Sequence, residues 1–285
     1  MQQTKIMRDG HAIPLLGFGV YQIPPEETKA AILAALNAGY RHIDTAQVYL
    51  NEREVGEALQ ETELNREEIF VTTKLWVQDV EAGKARQSIL ASLERMKLDY
   101  LDLVLIHQPY HDVYGAWRDL IQLQKEGKIR SIGVSNFAPD KLVDLGVFTG
   151  VMPAVNQIEV NPFHQQLNRL PILEEEGVVV EAWAPFAEGR HQIFSHPTLV
   201  AVADKHQKTV AQVIIRYFIE QELVVLTKTI RPDRMAENLN VFDFSLDAED
   251  RVAILAMDLS EDRLVDHSSP DRIRRMAAYK ITLEN

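Results

Sequence analysis

Apolar and polar residues repeat along the chain in one order: a short apolar run, then a longer stretch with apolar positions at helical spacing. The apolar runs have the length and composition of buried strands and lie at residues 16–18, 42–44, 69–73, 101–106, 129–134, 155–159, 178–183 and 223–227. The predicted helices lie at 27–38, 52–61, 82–97, 113–126, 140–148, 167–176, 197–220 and from Pro232 onward. Eight strands alternating with helices favour an α/β fold of the (β/α)8 or TIM barrel type over an open doubly wound sheet.

The two ends of the chain add to this barrel. Two short runs, 5–7 and 12–14, flank Asp9-Gly10, a pair that predicts a tight turn and therefore an N-terminal β-hairpin. The segment after Arg263 is longer than a barrel needs and is predicted to fold over the barrel mouth as a C-terminal tail. No linker-like stretch or repeat divides the sequence, so residues 1–285 are predicted to form a single domain.

The barrel topology makes a prediction about the active site. Residues at the carboxyl ends of barrel strands meet at one mouth, where such barrels place their chemistry. Polar or aromatic residues lie at or near seven successive strand ends: Asp44, Lys74, His107, Ser135 with Asn136, Gln157, Trp183, and Thr227 with Lys228.

Composition excludes several classes of function. The 30 Lys and Arg against 42 Asp and Glu give a formal charge of −12, which argues against nucleic acid as a partner. The absence of Cys excludes disulfides, thiolate metal sites and a Cys nucleophile, and no metal site is predicted. Since no apolar run suits a secretory signal or a membrane span, a soluble, cytoplasmic monomer without membrane contact is expected.

Asp44, Tyr49, Lys74 and His107 together indicate acid catalysis at the mouth. A phenol has an ordinary pKa near ~10, and the Lys74 ammonium is expected to lower it by favouring the phenolate. Asp44 is expected to pair with Lys74, and His107 to hydrogen-bond a substrate oxygen. Taken singly, the same four residues also suit a helix cap, a rim residue, a surface charge and a satisfied core imidazole.

The sequence around these residues resembles the aldo-keto reductase superfamily. Its first signature is similar to Gly39-Tyr-Arg-His-Ile-Asp-Thr-Ala46 followed by Tyr49. Further matching motifs, within a span from about 13 to 263, are Leu101-Asp-Leu-Val-Leu-Ile-His107, Gly133-Val-Ser-Asn-Phe137, Asn156-Gln-Ile-Glu159 and Thr227-Lys-Thr-Ile-Arg-Pro-Asp-Arg234. Two segments resemble the bacterial branch that includes 2,5-diketo-D-gluconate reductases. They are Leu98-Asp-Tyr-Leu-Asp-Leu103 and Asn238-Leu-Asn-Val-Phe-Asp-Phe244.

The resemblance implies an NADPH-dependent oxidoreductase that reduces aldehydes or ketones, among them small carbonyls, α-dicarbonyls and keto-sugars, to alcohols. It makes Asp44, Tyr49, Lys74 and His107 the catalytic tetrad, with Tyr49 as general acid. Ser135, Asn136 and Gln157 would hold the nicotinamide carboxamide, and Trp183 would stack on the ring. The full set of residues assigned to the cofactor is Val20, Ser135, Asn136, Gln157, Trp183, Ala184, Pro185, Phe186, Lys228, Thr229, Arg234, Glu237 and Asn238.

The phosphates of the cofactor are expected at the last strand. Gly17-Phe-Gly19 lacks the third glycine of a dinucleotide-binding fingerprint, which disfavours a Rossmann domain. Lys228, Thr229 and Arg234 instead surround the start of the helix from Pro232, where cations and free N–H groups suit a phosphate. The same residues would also suit a charged turn exposed to solvent, without a ligand. The resemblance implies a 2′-phosphate grip there, hence NADPH over NADH.

Residues around the mouth bear on the choice of substrate. Tyr21, Trp76 and His107 are predicted to face the substrate, although Trp76 also suits ordinary packing at the rim. Gln108 stands where relatives commonly carry Trp, which predicts a wider or wetter pocket. The tail arginines, Arg272, Arg274 and Arg275, either attract an anionic substrate or pair with surface carboxylates. Two other interpretations remain: an alcohol or sugar dehydrogenase using NADP⁺, and a barrel used mainly for binding or regulation.

Overall fold

The N-terminal hairpin lies outside the barrel. A computed structural model describes residues 3–282 of the chain. In it β1 (Thr4–Ile6) pairs antiparallel with β2 (Ala12–Pro14). Gly10 takes a φ of 89° between them, a value that a residue without a Cβ adopts at little cost. The predicted hairpin is confirmed.

Eight parallel strands close into a barrel, which confirms the predicted fold class. They are β3 (Leu16–Gly19), β4 (His42–Asp44), β5 (Phe70–Leu75), β6 (Leu101–Ile106), β7 (Ile129–Ser135), β8 (Val155–Glu159), β9 (Val179–Trp183) and β10 (Val224–Thr227). Each strand pairs with the next in sequence order, and β10 returns to β3 to complete the ring. In a ring of eight strands β6 therefore lies across the mouth from β10.

The helices form a layer around the strands. They are α1 (Pro25–Ala38), α2 (Glu52–Glu61), α3 (Lys84–Met96), α4 (Val113–Lys125), α5 (Pro139–Thr149), α6 (Leu170–Glu175), α7 (Pro197–His206), α8 (Val210–Ile219), α9 (Pro232–Leu239), α10 (Ala248–Leu255) and α11 (Pro270–Ala278). Each of α1 to α10 buries residues, so the core fills the barrel and the space between strands and helices. Within residues 3–282 no helix is both long and apolar enough to cross a lipid bilayer.

The prediction of one helix at 197–220 is wrong, because the structure divides it into α7 and α8. Gln207 has a φ of 52° and ends α7. Thr209 then begins α8 with a capping box, in which its hydroxyl and the Gln212 side chain each accept the other residue's backbone N–H. Apolar residues continue at helical spacing across this break, so their period does not reveal it. Helices α10 and α11 were not predicted from the hydrophobic pattern.

The tail, defined here as residues 264–282, folds across the carboxyl ends of the strands, as predicted. At its start the Leu264 backbone N–H donates to both carboxylate oxygens of Glu159, at 2.8 and 2.9 Å, at the end of β8. At its end the Tyr279 ring packs edge-on against Trp76, with ring centroids 5.9 Å apart. The tail, with α11 in its middle, thus becomes one wall of the mouth.

Candidate active site

A buried set of hydrogen bonds forms the floor of the barrel mouth. Lys74, fully buried in β5, donates to Asp44 Oδ1 at 2.6 Å and to the Thr45 carbonyl at 2.9 Å. Its third contact is the Tyr49 hydroxyl at 3.3 Å. The ammonium thus has three partners for its three protons, and the ion pair offsets part of the cost of burying both charges. Asp44, Lys74 and Tyr49 are called the floor cluster below.

The expected fall in the pKa of Tyr49 is wrong for this structure. Burial raises the pKa of Tyr49 to about 12, and Lys74 opposes that rise without cancelling it. Burial lowers the pKa of Lys74, but Asp44 and Tyr49 outweigh burial and raise it overall. The phenol therefore keeps its proton at neutral pH, and the charged ammonium beside it can stabilise a phenolate after the proton has left.

His107, directly after β6, faces the same cavity. Its ring centroid lies 5.3 Å from that of Trp76 and 5.9 Å from that of Tyr49, both edge-on. Burial and then the charge of Lys74 lower the pKa of His107 well below its ordinary value of 6.5, so the imidazole is neutral. Its Nδ1 is buried and has no partner in the part of the chain that the structure describes. A neutral imidazole has one N–H to donate.

Gln157 connects the floor cluster to a second buried carboxyl group. Its Nε2 donates to Asp44 Oδ2 at 2.9 Å and to Glu181 Oε2 at 2.7 Å. Burial and the neighbouring Asp44 raise the pKa of Glu181 to about 8, which keeps this carboxyl protonated at neutral pH. His42 Nε2 lies 3.5 Å from Glu181 Oε1, and burial lowers the pKa of His42 to about 3. Sequence reasoning missed both residues, because they read as ordinary strand positions.

The residues predicted to hold the nicotinamide lie side by side at the ends of β7, β8 and β9. The Trp183 indole N–H donates to Asn136 Oδ1 at 2.9 Å, and Asn136 Nδ2 donates to Ser135 Oγ at 3.0 Å. Asn136 and Ala184 have positive φ values, 64° and 51°, which non-glycine residues adopt rarely and mainly at functional sites. These contacts fix the edge of the Trp183 indole and leave its half-buried face directed at the cavity.

The residues predicted to hold phosphate surround the start of α9. The N-cap residue, Arg231, makes no side-chain cap on this helix, and the Asp233 carboxylate lies against the backbone N–H groups of Asp233 and Arg234 in its first turn. Lys228 and Arg234 are exposed, and the Arg231 guanidinium pairs with Asp233 at 2.5 Å. Further along α9, Glu237 accepts a hydrogen bond from Thr209, and Asn238 is buried.

A cavity of about 900 Å³ joins most of the predicted residues. Its wall contains the predicted residues Tyr21, Asp44, Tyr49, Trp76, His107, Ser135, Asn136, Gln157, Trp183, Ala184, Pro185, Phe186 and Lys228. Lys74 lies behind Tyr49, and Val20 is fully buried between the wall residues Gly19 and Tyr21. The predicted residues that lie outside the wall of the cavity, along α9 and the turn before it, are Thr229, Arg234, Glu237 and Asn238.

The tail contributes wall residues that sequence reasoning missed. They include Leu264, Val265, His267, Met276 and Tyr279. His267 Nδ1 lies 2.9 Å from Gln108 Oε1, so the tail is joined to the residue that follows His107. The only sequence signal for these residues is the length of the tail itself.

Comparison with known proteins identifies the family. Residues 15–258 match the model of the Aldo/keto reductase family. The chain belongs to this family. This aldo-keto reductase is 43% identical over 255 residues to the methylglyoxal reductase DkgA of Escherichia coli strain K12. It is 42% identical over 255 residues to an aldo-keto reductase of Mycolicibacterium smegmatis. Each alignment covers 88% of this chain and 92% of the relative.

Solved structures agree with the sequence comparison. An aldo/keto reductase from Brucella melitensis is 41% identical and superposes with a TM-score of 0.88 over 90% of this chain and 98% of its own. A variant of Gox0644 in complex with NADPH is 38% identical, with a TM-score of 0.89 over 94% of this chain and 97% of its own. The predicted family and its barrel are therefore confirmed.

Proposed function

We propose that this aldo-keto reductase reduces aldehydes or ketones to alcohols with NADPH, and that Tyr49 donates the proton. The observation that carries the proposal is the floor cluster, which opens beside His107 into a cavity large enough for a small substrate and a nicotinamide. The E. coli relative is a methylglyoxal reductase, so small carbonyls and α-dicarbonyls are the first substrates to test, followed by keto-sugars.

The residues divide the chemistry between them. When bound, NADPH supplies the hydride that adds to the carbonyl carbon. The Tyr49 hydroxyl gives its proton to the carbonyl oxygen as negative charge develops there, and a phenolate remains. The Lys74 ammonium, 3.3 Å away, stabilises that phenolate, and Asp44 holds the ammonium in place. Since Nδ1 of His107 is buried, we assign its N–H to Nε2, which can donate to the carbonyl oxygen and orient it.

The side chains of the mouth fit a nicotinamide. The N–H groups of Gln157 donate to two carboxyl groups. Its Oε1 can therefore accept a hydrogen bond from the carboxamide N–H of the nicotinamide. Ser135 and Asn136 lie beside it, and the Trp183 indole offers a flat face for stacking. Val20, Ala184, Pro185 and Phe186 would follow the pyrophosphate along the mouth through backbone and apolar contacts.

The start of α9 fits the 2′-phosphate that distinguishes NADPH from NADH. The exposed cations Lys228 and Arg234, beside the positive end of the helix dipole, favour a phosphate dianion at this place. Thr229 adds a hydroxyl, while Glu237 and Asn238 are placed further along α9 for the adenine. The enzyme is further proposed to be a cytoplasmic monomer, and its Cys-free composition suits a reducing compartment.

The decisive experiment compares two Tyr→Phe variants. We expect Tyr49→Phe to lower kcat for methylglyoxal and for an aromatic aldehyde by roughly 10²- to 10⁴-fold, because the proton donor is lost. Tyr21→Phe is the matched control: its exposed ring packs 5.0 Å from that of Tyr49, but its hydroxyl has no role in the proposal. NADPH absorbance gives both rates. Equal turnover in the two variants would show that another group supplies the proton.

A further inference from the structure

We propose that Arg272 binds the carboxylate of the substrate, so that this enzyme favours carbonyl compounds that also carry an acid group. The inference rests on the proposed function, because the carbonyl of the same molecule must reach Tyr49. Arg272 lies in the first turn of α11 and lines the active-site cavity. Met276, one helical turn further, lines the same cavity, so one face of α11 is turned toward the substrate.

The guanidinium of Arg272 has no carboxylate partner. No salt bridge joins it to any residue in 3–282, and its Nε is buried without a hydrogen-bond partner there. Arg274, two positions along the same helix, is exposed and pairs with Asp271 at 2.7 Å. Withdrawing a guanidinium N–H from water without a new partner costs free energy, and a carboxylate can accept two parallel hydrogen bonds from this group. Arg272 is therefore arranged for a ligand, and Arg274 for the surface.

The side chains next to Arg272 are neutral. The Tyr110 hydroxyl donates to the His267 carbonyl at 2.7 Å and accepts a hydrogen bond from the Arg272 side chain, which opposes the burial that raises the pKa of Tyr110. Burial and then Arg272 lower the pKa of His267 to about 3. His267 Nε2 is buried without a partner among the described residues, and Gln108 presents its amide beside it. This set offers hydroxyl, imidazole and amide groups around one cation, which suits a polar, acidic molecule.

Other charges in the cavity do not compete for this role. Asp44 is neutralised by Lys74, and Glu188 is exposed in the loop after β9. Lys228 follows β10 and contacts Gln22 at 3.4 Å, at the place proposed for the cofactor phosphate. Arg272 contacts the segment after β6, on the opposite side of the ring. The cofactor and the substrate thus each have a cation on their own side of the mouth.

Asp266 is the acidic residue of the tail nearest in sequence to His267. Its carboxylate accepts a hydrogen bond from the Ser268 hydroxyl at 2.6 Å and lies 3.7 Å from Arg263. It is therefore engaged with its own neighbours and does not pair with Arg272, whose contact with the neutral Tyr110 hydroxyl leaves the guanidinium able to bind an added carboxylate.

The test compares an acidic aldehyde with a neutral one of matched size, 4-carboxybenzaldehyde and 4-nitrobenzaldehyde. We expect Arg272→Met to lower the ratio of their kcat/KM values, acid over neutral, by roughly ten- to a hundredfold, chiefly through KM. Arg272→Lys, which keeps the charge and loses the planar fork, should give an intermediate ratio. Arg274→Met is the matched control and should leave the ratio within about twofold of wild type. An unchanged ratio in Arg272→Met, or the same loss in Arg274→Met, overturns the proposal.

A binding measurement separates this proposal from the proposed function. Titration calorimetry follows 4-carboxybenzaldehyde binding to the protein with and without NADP⁺, which cannot reduce it. We expect Kd to rise in Arg272→Met by about the factor seen in kcat/KM, with no change in Arg274→Met. If wild type turned over neither aldehyde, the proposed function would fail, yet carboxylate binding that depends on Arg272 would still support the subsite. Absence of binding to wild type would overturn it.

Discussion

The floor cluster and the tail border the same cavity but use their polar groups in opposite ways. Lys74 has three partners, and both oxygens of Asp44 accept hydrogen bonds from the chain. In the tail, His267 Nε2 and Arg272 Nε are buried without partners in the described chain. Because an unpartnered buried polar group costs free energy, the protein completes the floor by itself and leaves the tail to be completed by a ligand. The barrel supplies the reaction, and the added segment supplies the selectivity.

The largest effect is expected from Lys74→Met, which keeps the length of the side chain and removes the ammonium. Asp44 would then be a buried charge without its cation, and breaking one partner of a buried ion pair costs about 3–5 kcal/mol. We expect urea unfolding to show a free energy of unfolding lower by about that amount, together with a loss of kcat. This result would confirm that the floor is a self-contained unit.

Two further variants control this prediction. Lys29→Met breaks an exposed ion pair with Glu61 at 2.7 Å and should leave the free energy of unfolding nearly unchanged. Combining Lys74→Met with Asp44→Asn should recover part of the stability, since it removes the uncompensated charge, but none of the activity. If Lys74→Met alone were as stable as wild type, the contrast between floor and tail would not hold.

A second effect on stability, which depends on pH, is expected from Glu181→Gln. The pKa of Glu181 is raised to about 8 by burial and Asp44, so the folded chain keeps a proton that the unfolded chain loses above its ordinary value of 4.5. The resulting stability is complete below that value and is lost as the pH rises toward 8. Wild type should therefore lose up to about 1.4 kcal/mol per pH unit relative to Glu181→Gln across this window.

Urea unfolding at several pH values measures this difference. The gap between Glu181→Gln and wild type should widen as the pH rises, while Glu249→Gln, an exposed change on α10, should run parallel to wild type. Parallel curves for all three proteins would mean that Glu181 is ionised in the folded state, and that an uncompensated charge is buried next to the floor cluster.

The floor cluster could be predicted from the sequence because barrel topology places Asp44 and Lys74, and the family signature includes Tyr49. Asp44, Lys74 and His107 each end a run of apolar residues, and a closed parallel barrel brings such ends together. Whether the pKa of Tyr49 rises or falls could not be predicted. The result depends on how strongly burial raises it and how strongly the Lys74 ammonium lowers it, and both depend on the folded structure. Glu181 was not predicted for the same reason, because the burial of its side chain follows only from closure of the barrel.

The tail could be predicted only as an added segment. Its helix α11 is short and has no fully buried residue, and it was not predicted from the hydrophobic pattern. Arg272 and Arg274 are equivalent in the sequence, and the contacts of the folded tail distinguish them. Substrate selectivity therefore depends on contacts between the tail and residues far from it in the sequence. The path of the folded tail decides which of these contacts form.

The smallest effect is expected from Glu159→Gln, which weakens the point where the tail attaches to the barrel. Burial raises the pKa of Glu159, yet both of its oxygens accept the Leu264 N–H, and an amide retains only one such oxygen. We expect hydrogen exchange at the Leu264 amide to accelerate by roughly tenfold, with little change in Tm, because local opening requires only this contact to break.

Since Arg272 belongs to the same segment, KM for 4-carboxybenzaldehyde should rise severalfold in Glu159→Gln while kcat for 4-nitrobenzaldehyde stays the same. Glu175→Gln, an exposed change on α6, should alter neither quantity. A fall in kcat for both aldehydes would instead show that the tail also supports the floor, and that the two regions are not independent.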